Sequence, residues 1–96
     1  MIEAYEIDVA EKCEREASNL GLANFMIDGR VAKIMHAIYR EEEKPNPDAV
    51  YLAALDTSHK AVWDDRHAMQ GRRPDAVEAM IAKYDRLQNA EPTVHE

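Results

Sequence analysis

The chain has 96 residues, 12 of them basic and 19 acidic, and a net charge of −7. That length suits one domain, and the surplus of carboxylates repels bare phosphate. Direct binding to nucleic acid or to an anionic membrane is therefore disfavoured, and a protein partner with a basic surface is favoured.

Cys13 is the only cysteine, so no internal disulfide can form, and a reducing compartment is expected. The start, Met1-Ile2-Glu3-Ala4, lacks the basic-then-apolar pattern of a secretory signal. No apolar run approaches the length of a membrane span. A soluble protein of the cytoplasm is the expectation. Fifteen alanines support helices where the larger aliphatic residues are few.

The first predicted helix covers about Ile2 to Leu20. Ile2, Tyr5, Val9, Cys13, Ala17 and Leu20 recur every three or four residues, the spacing of one helical stripe. Gly21 suits the residue just past a helix end. Leu22 to Ile27 then reads as a turn or helical half-turn folding back on the first helix. Asp28 is expected to cap a second helix from about Gly29 to Glu43, with Val31, Ile34, Met35 and Ile38 buried. Lys44-Pro45-Asn46-Pro47 ends it.

Asn46 is the expected cap of a third helix, with Pro47 in its first position. Leu52, Leu55, His59, Val62, Arg66 and Met69 form a seam along it with two polar interruptions, and Asp56-Thr57-Ser58 is a candidate break. Pro74 and Asp75 open a fourth helix to about Asn89, in which Val77, Met80, Ile81, Tyr84 and Leu87 make an apolar face. Together these segments predict an all-α, single-domain bundle of about four helices over residues 1–90. Residues 91–96 are expected to form a flexible C-terminal tail.

No catalytic set emerges. Asp56 with His59, and Asp64 with His67, place a carboxylate and an imidazole one turn apart, a spacing that can chelate metal. Both pairs lie on one helix, roughly 80° apart, so solvated Asp–His pairs are the simpler reading. Glu11 and Glu14 form one Glu-x-x-Glu, without the Glu-x-x-Asp that magnesium-dependent helical pyrophosphohydrolases add to it. Cys13 falls on the apolar stripe and is expected to be a buried, unactivated thiol. Gly21, Gly29 and Gly71 are isolated, so there is no phosphate loop. No cofactor and no metal are expected.

Two charged faces stand out. Arg30, Lys33, Arg40 and Lys44 share one side of the second helix, either as a solvated face or as a secondary contact with a partner. The outer side of the first helix carries Glu3, Glu11 and Glu14 around Ile7, and residues 2–20 hold six acids against two bases. Ile7 is either a stray exposed residue or an apolar anchor ringed by carboxylates. Glu41, Glu42, Glu43, Asp64 and Asp65 could extend the same negative field. Tyr51 and Trp63 are further anchors if exposed, although Trp63 lies close enough to the seam to be expected in the core.

In size, charge and helical texture, with Glu3, Glu11, Glu14, Glu41, Glu42, Glu43, Asp64 and Asp65 as the residues that carry the likeness, the chain resembles the small acidic helical proteins that phages encode to disable host machinery, anti-CRISPR inhibitors among them. The resemblance implies a non-catalytic inhibitor. Its acidic surface would dock on a basic, nucleic-acid-binding complex in the host cytoplasm, with carboxylates where phosphates would sit. The basic stripe departs from a pure phosphate mimic. Two other readings stand beside it: a helical subunit or adaptor that self-associates through the Leu52–Met69 seam, and a metal-dependent enzyme built on His59, His67 and their aspartates.

Overall fold

A computed structural model describes the backbone of residues 4–71 and 73–96, and the side chains from Asp8 onward except at 72. Among the described residues there are three α-helices: α1 Ala4–Glu42, α2 Ala49–Ala68 and α3 Pro74–Leu87. No strand occurs among the described residues. The all-α class agrees with the sequence reading, and the helix count is three instead of about four.

The difference lies in α1. The two helices expected at 2–20 and 29–43 are one helix of 39 residues, about 58 Å long at 1.5 Å per residue. Neither Gly21 nor Asp28 interrupts it. Leu20, Ala23, Ile27, Arg30, Ile34 and Glu41 continue a single stripe through the expected turn, and Ala23, Ile27 and Ile34 are completely or almost completely buried. Burying that stripe outweighs the roughly 1 kcal/mol that a mid-helix glycine costs. Asp28, expected as a cap, instead receives a bond from Arg66 of α2.

Local punctuation decides the other ends. Pro45 and Pro47 stop α1 and hold the connection open. The cap of α2 is Asp48, not Asn46: its Oδ1 accepts from Val50 N at 3.0 Å and Tyr51 N at 3.1 Å. Pro47 therefore precedes the cap. Helix α2 runs unbroken through Asp56-Thr57-Ser58, where Thr57 Oγ1 donates back to Ala53 O at 3.1 Å. Helix α3 starts at Pro74 as expected and ends at Leu87, two residues early.

Helix α2 returns antiparallel along α1, and α3 runs back beside both, bonded to α2 through Tyr84 and Lys83 to Asp65. The first turn of α3 lies across a shallow groove from Cys13, Ala17 and Leu20, and its last carbonyl meets Arg30. The core is one cluster: Ala23, Ile27 and Ile34 from α1, Leu55 and Val62 from α2, Met69, and Val77, Tyr84 and Leu87 from α3. The seam on α2 is used inside this bundle, with Leu55, Val62 and Met69 buried and Leu52, His59 and Arg66 half-buried.

The segment after α3, expected to be a free tail, is bonded down. Pro92 is buried. The Arg30 guanidinium, only 5% exposed, donates to the carbonyls of Leu87, Ala90, Glu91 and Val94 at 2.7 to 3.1 Å. Lys33 Nζ adds a bond to Ala90 O at 2.7 Å. A cation placed among the carbonyls at a helix C-terminus satisfies groups that the helix itself leaves open. Glu96 pairs with Arg86 at 2.7 Å, and Ser58 Oγ lies 3.3 Å from His95 Nδ1. The described residues form a rod of 69 × 19 × 17 Å.

Candidate docking surface

The rod is not covered along its full length. Helix α3 reaches along α1 only to about Cys13, and the end of α2 only to about Leu20. Every described side chain from Asp8 to Arg15 is exposed, and Glu16 alone among residues 8–18 is half-buried. Val9 is 50% exposed, and Cys13 and Ala17 are exposed with it. Their spacing predicts a core stripe; the structure leaves the stripe bare because, among the described residues, the other helices stop at its foot, where Pro74 and Val77 face it only across a groove. The thiol of Cys13, expected to be buried, lies on the surface. At the foot of this bare segment Cys13, Glu16, Ala17, Leu20, Pro74 and Val77 line a shallow groove of about 280 Å³.

Glu11 and Glu14 lie on this segment, both exposed, beside a Lys12–Glu16 pair at 4.0 Å. Glu3 lies outside the described residues. Ile7 belongs to α1 by its backbone, and its side chain lies outside them too.

The remaining acids do not join this patch. Glu42 and Glu43 are exposed at the far end of α1, about 45 Å from Glu11 along the helix axis, several Debye lengths away at physiological salt. Glu41 is buried at 5% exposure, so its expected place on a binding surface is taken by an internal task. It accepts from Asp48 N at 3.1 Å and pairs with Lys44 Nζ at 2.7 Å, pinning the α1–α2 turn. The Lys44 bond, with help from the Asp48 amide, holds its carboxyl below its ordinary value. Asp64 is exposed on α2. Asp65 is turned inward, accepting from Tyr84 Oη at 2.7 Å and from Lys83 Nζ at 2.8 Å. Burial, followed by this bond, pushes the Tyr84 phenol well above its ordinary value.

The basic stripe divides in the same way. Arg30 and Lys33 are committed to the carbonyls after α3, and burial draws the Arg30 guanidinium down from its ordinary value. Arg40 is exposed, and Lys44 is exposed while paired to Glu41.

Trp63, expected in the core, is 51% exposed. It stands between His59 and His67, each ring centroid 6.3 Å away, with the Arg66 guanidinium carbon 5.9 Å from its own. Tyr51 is half-buried. His67 Nδ1 lies 2.9 Å from Trp63 O, and Asp56 pairs with Lys60 at 3.2 Å. Among the described residues no three His, Cys, Asp or Glu side chains gather closely enough to hold a metal ion, and no helix is long and apolar enough to cross a membrane.

One exposed feature was misread from the sequence as a turn. Phe25, the most exposed aromatic among the described residues at 76%, and Leu22 at 45% stand on the outer side of α1. Beside them Leu22, Phe25, Met26, Gly29, Tyr84 and Gln88 line a groove of about 410 Å³. The seven-residue spacing of Ser18, Phe25, Ala32 and Tyr39 was the available signal. In comparison with known proteins, no family model matches the chain, and no curated protein and no solved structure matches it either.

Proposed function

We propose that the protein acts by binding, seating the bare N-terminal part of α1 against a basic surface of another protein, with no bond made or broken. The observation that carries this reading is the exposed stripe of Val9, Cys13 and Ala17. It has the spacing of a core face, lies open, and has Glu16 beside it, while Glu11 and Glu14 stand on the opposite side of the same helix and add to its negative field. An apolar strip gives contact area and the carboxylates give orientation and a fast encounter with a cationic groove. Nucleic-acid-binding complexes are the partner class with such grooves. Occupying one with carboxylates is how a phage-encoded inhibitor of the anti-CRISPR kind would act in a host cytoplasm.

The other two readings draw less support. The Leu52–Met69 seam offered for self-association packs into the protein's own core. The histidines offered for metal catalysis flank Trp63 instead of converging with their aspartates.

The test is capture of the partner from host extract by wild-type protein, Val9→Asp and the double variant Glu11→Lys/Glu14→Lys. Val9→Asp is expected to weaken binding at least tenfold, because it places a carboxylate in a contact that excludes water. The charge reversal is expected to weaken it several-fold at low salt and less at high salt. Heparin should release the captured partner. Equal capture by all three proteins, or a partner that heparin leaves bound, sinks the reading.

A further inference from the structure

We infer that the outer face of α1 is a contact between two copies of this chain, packed antiparallel about a two-fold axis at Phe25. Ser18, Gly21, Leu22, Phe25, Gly29, Ala32, His36 and Tyr39 are all exposed and follow one another along this face at helical spacing.

The glycines are the first reason. Gly21 and Gly29 sit inside a helix, where glycine is unfavourable relative to alanine. A Cβ added at either would meet nothing within 4 Å, so packing within the chain gives no need for them. Close approach of a second helix does.

The arrangement about Phe25 is the second reason, and it selects the occupant. An isologous contact requires that if one residue meets a second, the second also meets the first. Counting outward from Phe25 in both directions, Gly21 answers Gly29 and Ser18 answers Ala32. Further out, Glu14 answers His36 and Glu11 answers Tyr39, with Arg40 next to it. Small residues therefore face small ones near the axis, and carboxylates face an imidazole, a phenol and a guanidinium at the ends. A parallel pairing would instead set Glu11 and Glu14 against their own copies, which repel.

Phe25 supplies the anchor. Its ring can enter the partner's groove beside Leu22, Met26 and Gly29, while the partner's ring enters its own, each filling apolar space open in the single chain. The face from Glu11 to Tyr39 runs about 42 Å and is about one helix diameter wide. A footprint of that size belongs to a modest, concentration-dependent dimer. It leaves the Val9–Cys13–Ala17 stripe, on another side of α1, open to a further partner.

Sedimentation velocity over three decades of concentration tests the contact. The wild-type mass is expected to rise from one chain to two. Phe25→Glu and Gly29→Leu are expected to stay at one chain throughout, with helix content by circular dichroism unchanged, since neither position is packed in the single chain. Crosslinking tests the register in a Cys13→Ser background: Ser18→Cys is expected to crosslink to Ala32→Cys in a mixture and not to itself. A wild-type chain that stays single at every concentration overturns the proposal. A dimer that survives both substitutions, or Ser18→Cys crosslinking to itself, overturns it as well.

Discussion

The two halves of α1 share one helix and one apolar period, yet they live in different surroundings. From Leu20 to Glu41 the stripe is buried or half-buried under α2 and α3. From Val9 to Ala17 the same period continues into solvent. Periodicity tells which side of a helix is apolar and does not tell whether anything covers it. The covering comes from the lengths of the other helices: 20 and 14 residues cannot reach along 39.

The largest expected effect separates the halves directly. Ile27 is fully buried and Val9 is half exposed, although both sit on the same stripe. Ile27→Ala is expected to destabilise the fold by about 2–5 kcal/mol, through lost burial and the cavity left behind. Val9→Ala should stay within about 0.5 kcal/mol. Urea unfolding followed by circular dichroism measures both. Similar losses at the two positions would mean that the bare half is covered after all.

A second, smaller contrast uses arginines. Arg30 in the covered half feeds four carbonyls, while Arg15 in the bare half is exposed. Arg30→Ala is expected to cost about 3 kcal/mol, since it removes charge-assisted bonds and strands acceptors partly shielded from water. It should also expose the segment after Leu87 to limited proteolysis. Arg15→Ala should leave both stability and the cleavage pattern unchanged. An Arg30→Ala protein with wild-type stability would show that the chain after α3 is held by other contacts, such as Glu96 with Arg86.

These contrasts also mark what the sequence made legible. Features set by local chemistry were readable: the all-α class, the stop at Pro45 and Pro47, and the start of α3 at Pro74. Features set by distant partners were not. Gly21 and Asp28 carry good local signals for a helix end and a helix start, and burial of Ala23 and Ile27 overrides both. Arg30 read as part of an exposed basic face because its acceptors lie 57 to 64 residues further along the chain. Glu41 read as one more surface acid in a run of three, although it accepts from the Asp48 amide seven residues further on, across the turn that holds Pro45 and Pro47. In the docking surface, the acidic excess of the first twenty residues was evident from composition. The exposure of Val9, Cys13 and Ala17 was not, because a period of three and four looks the same with or without a cover.

The smallest expected effect falls at the seam between the halves. Gly21 lies where the covered part of α1 gives way to the bare part, inside the helix and with no neighbour within 4 Å of an added Cβ. Gly21→Ala should therefore stabilise the single chain by about 0.5–1 kcal/mol, by narrowing the unfolded ensemble and favouring helical backbone. The measurement belongs at low protein concentration, where self-association contributes nothing. The gain should be accompanied by slower amide exchange over residues 8–18, because a stiffer junction carries helical order further into the uncovered half. A loss of stability at this position would mean that α1 needs to bend at Gly21, and that its two halves are less continuous than a single 39-residue helix implies.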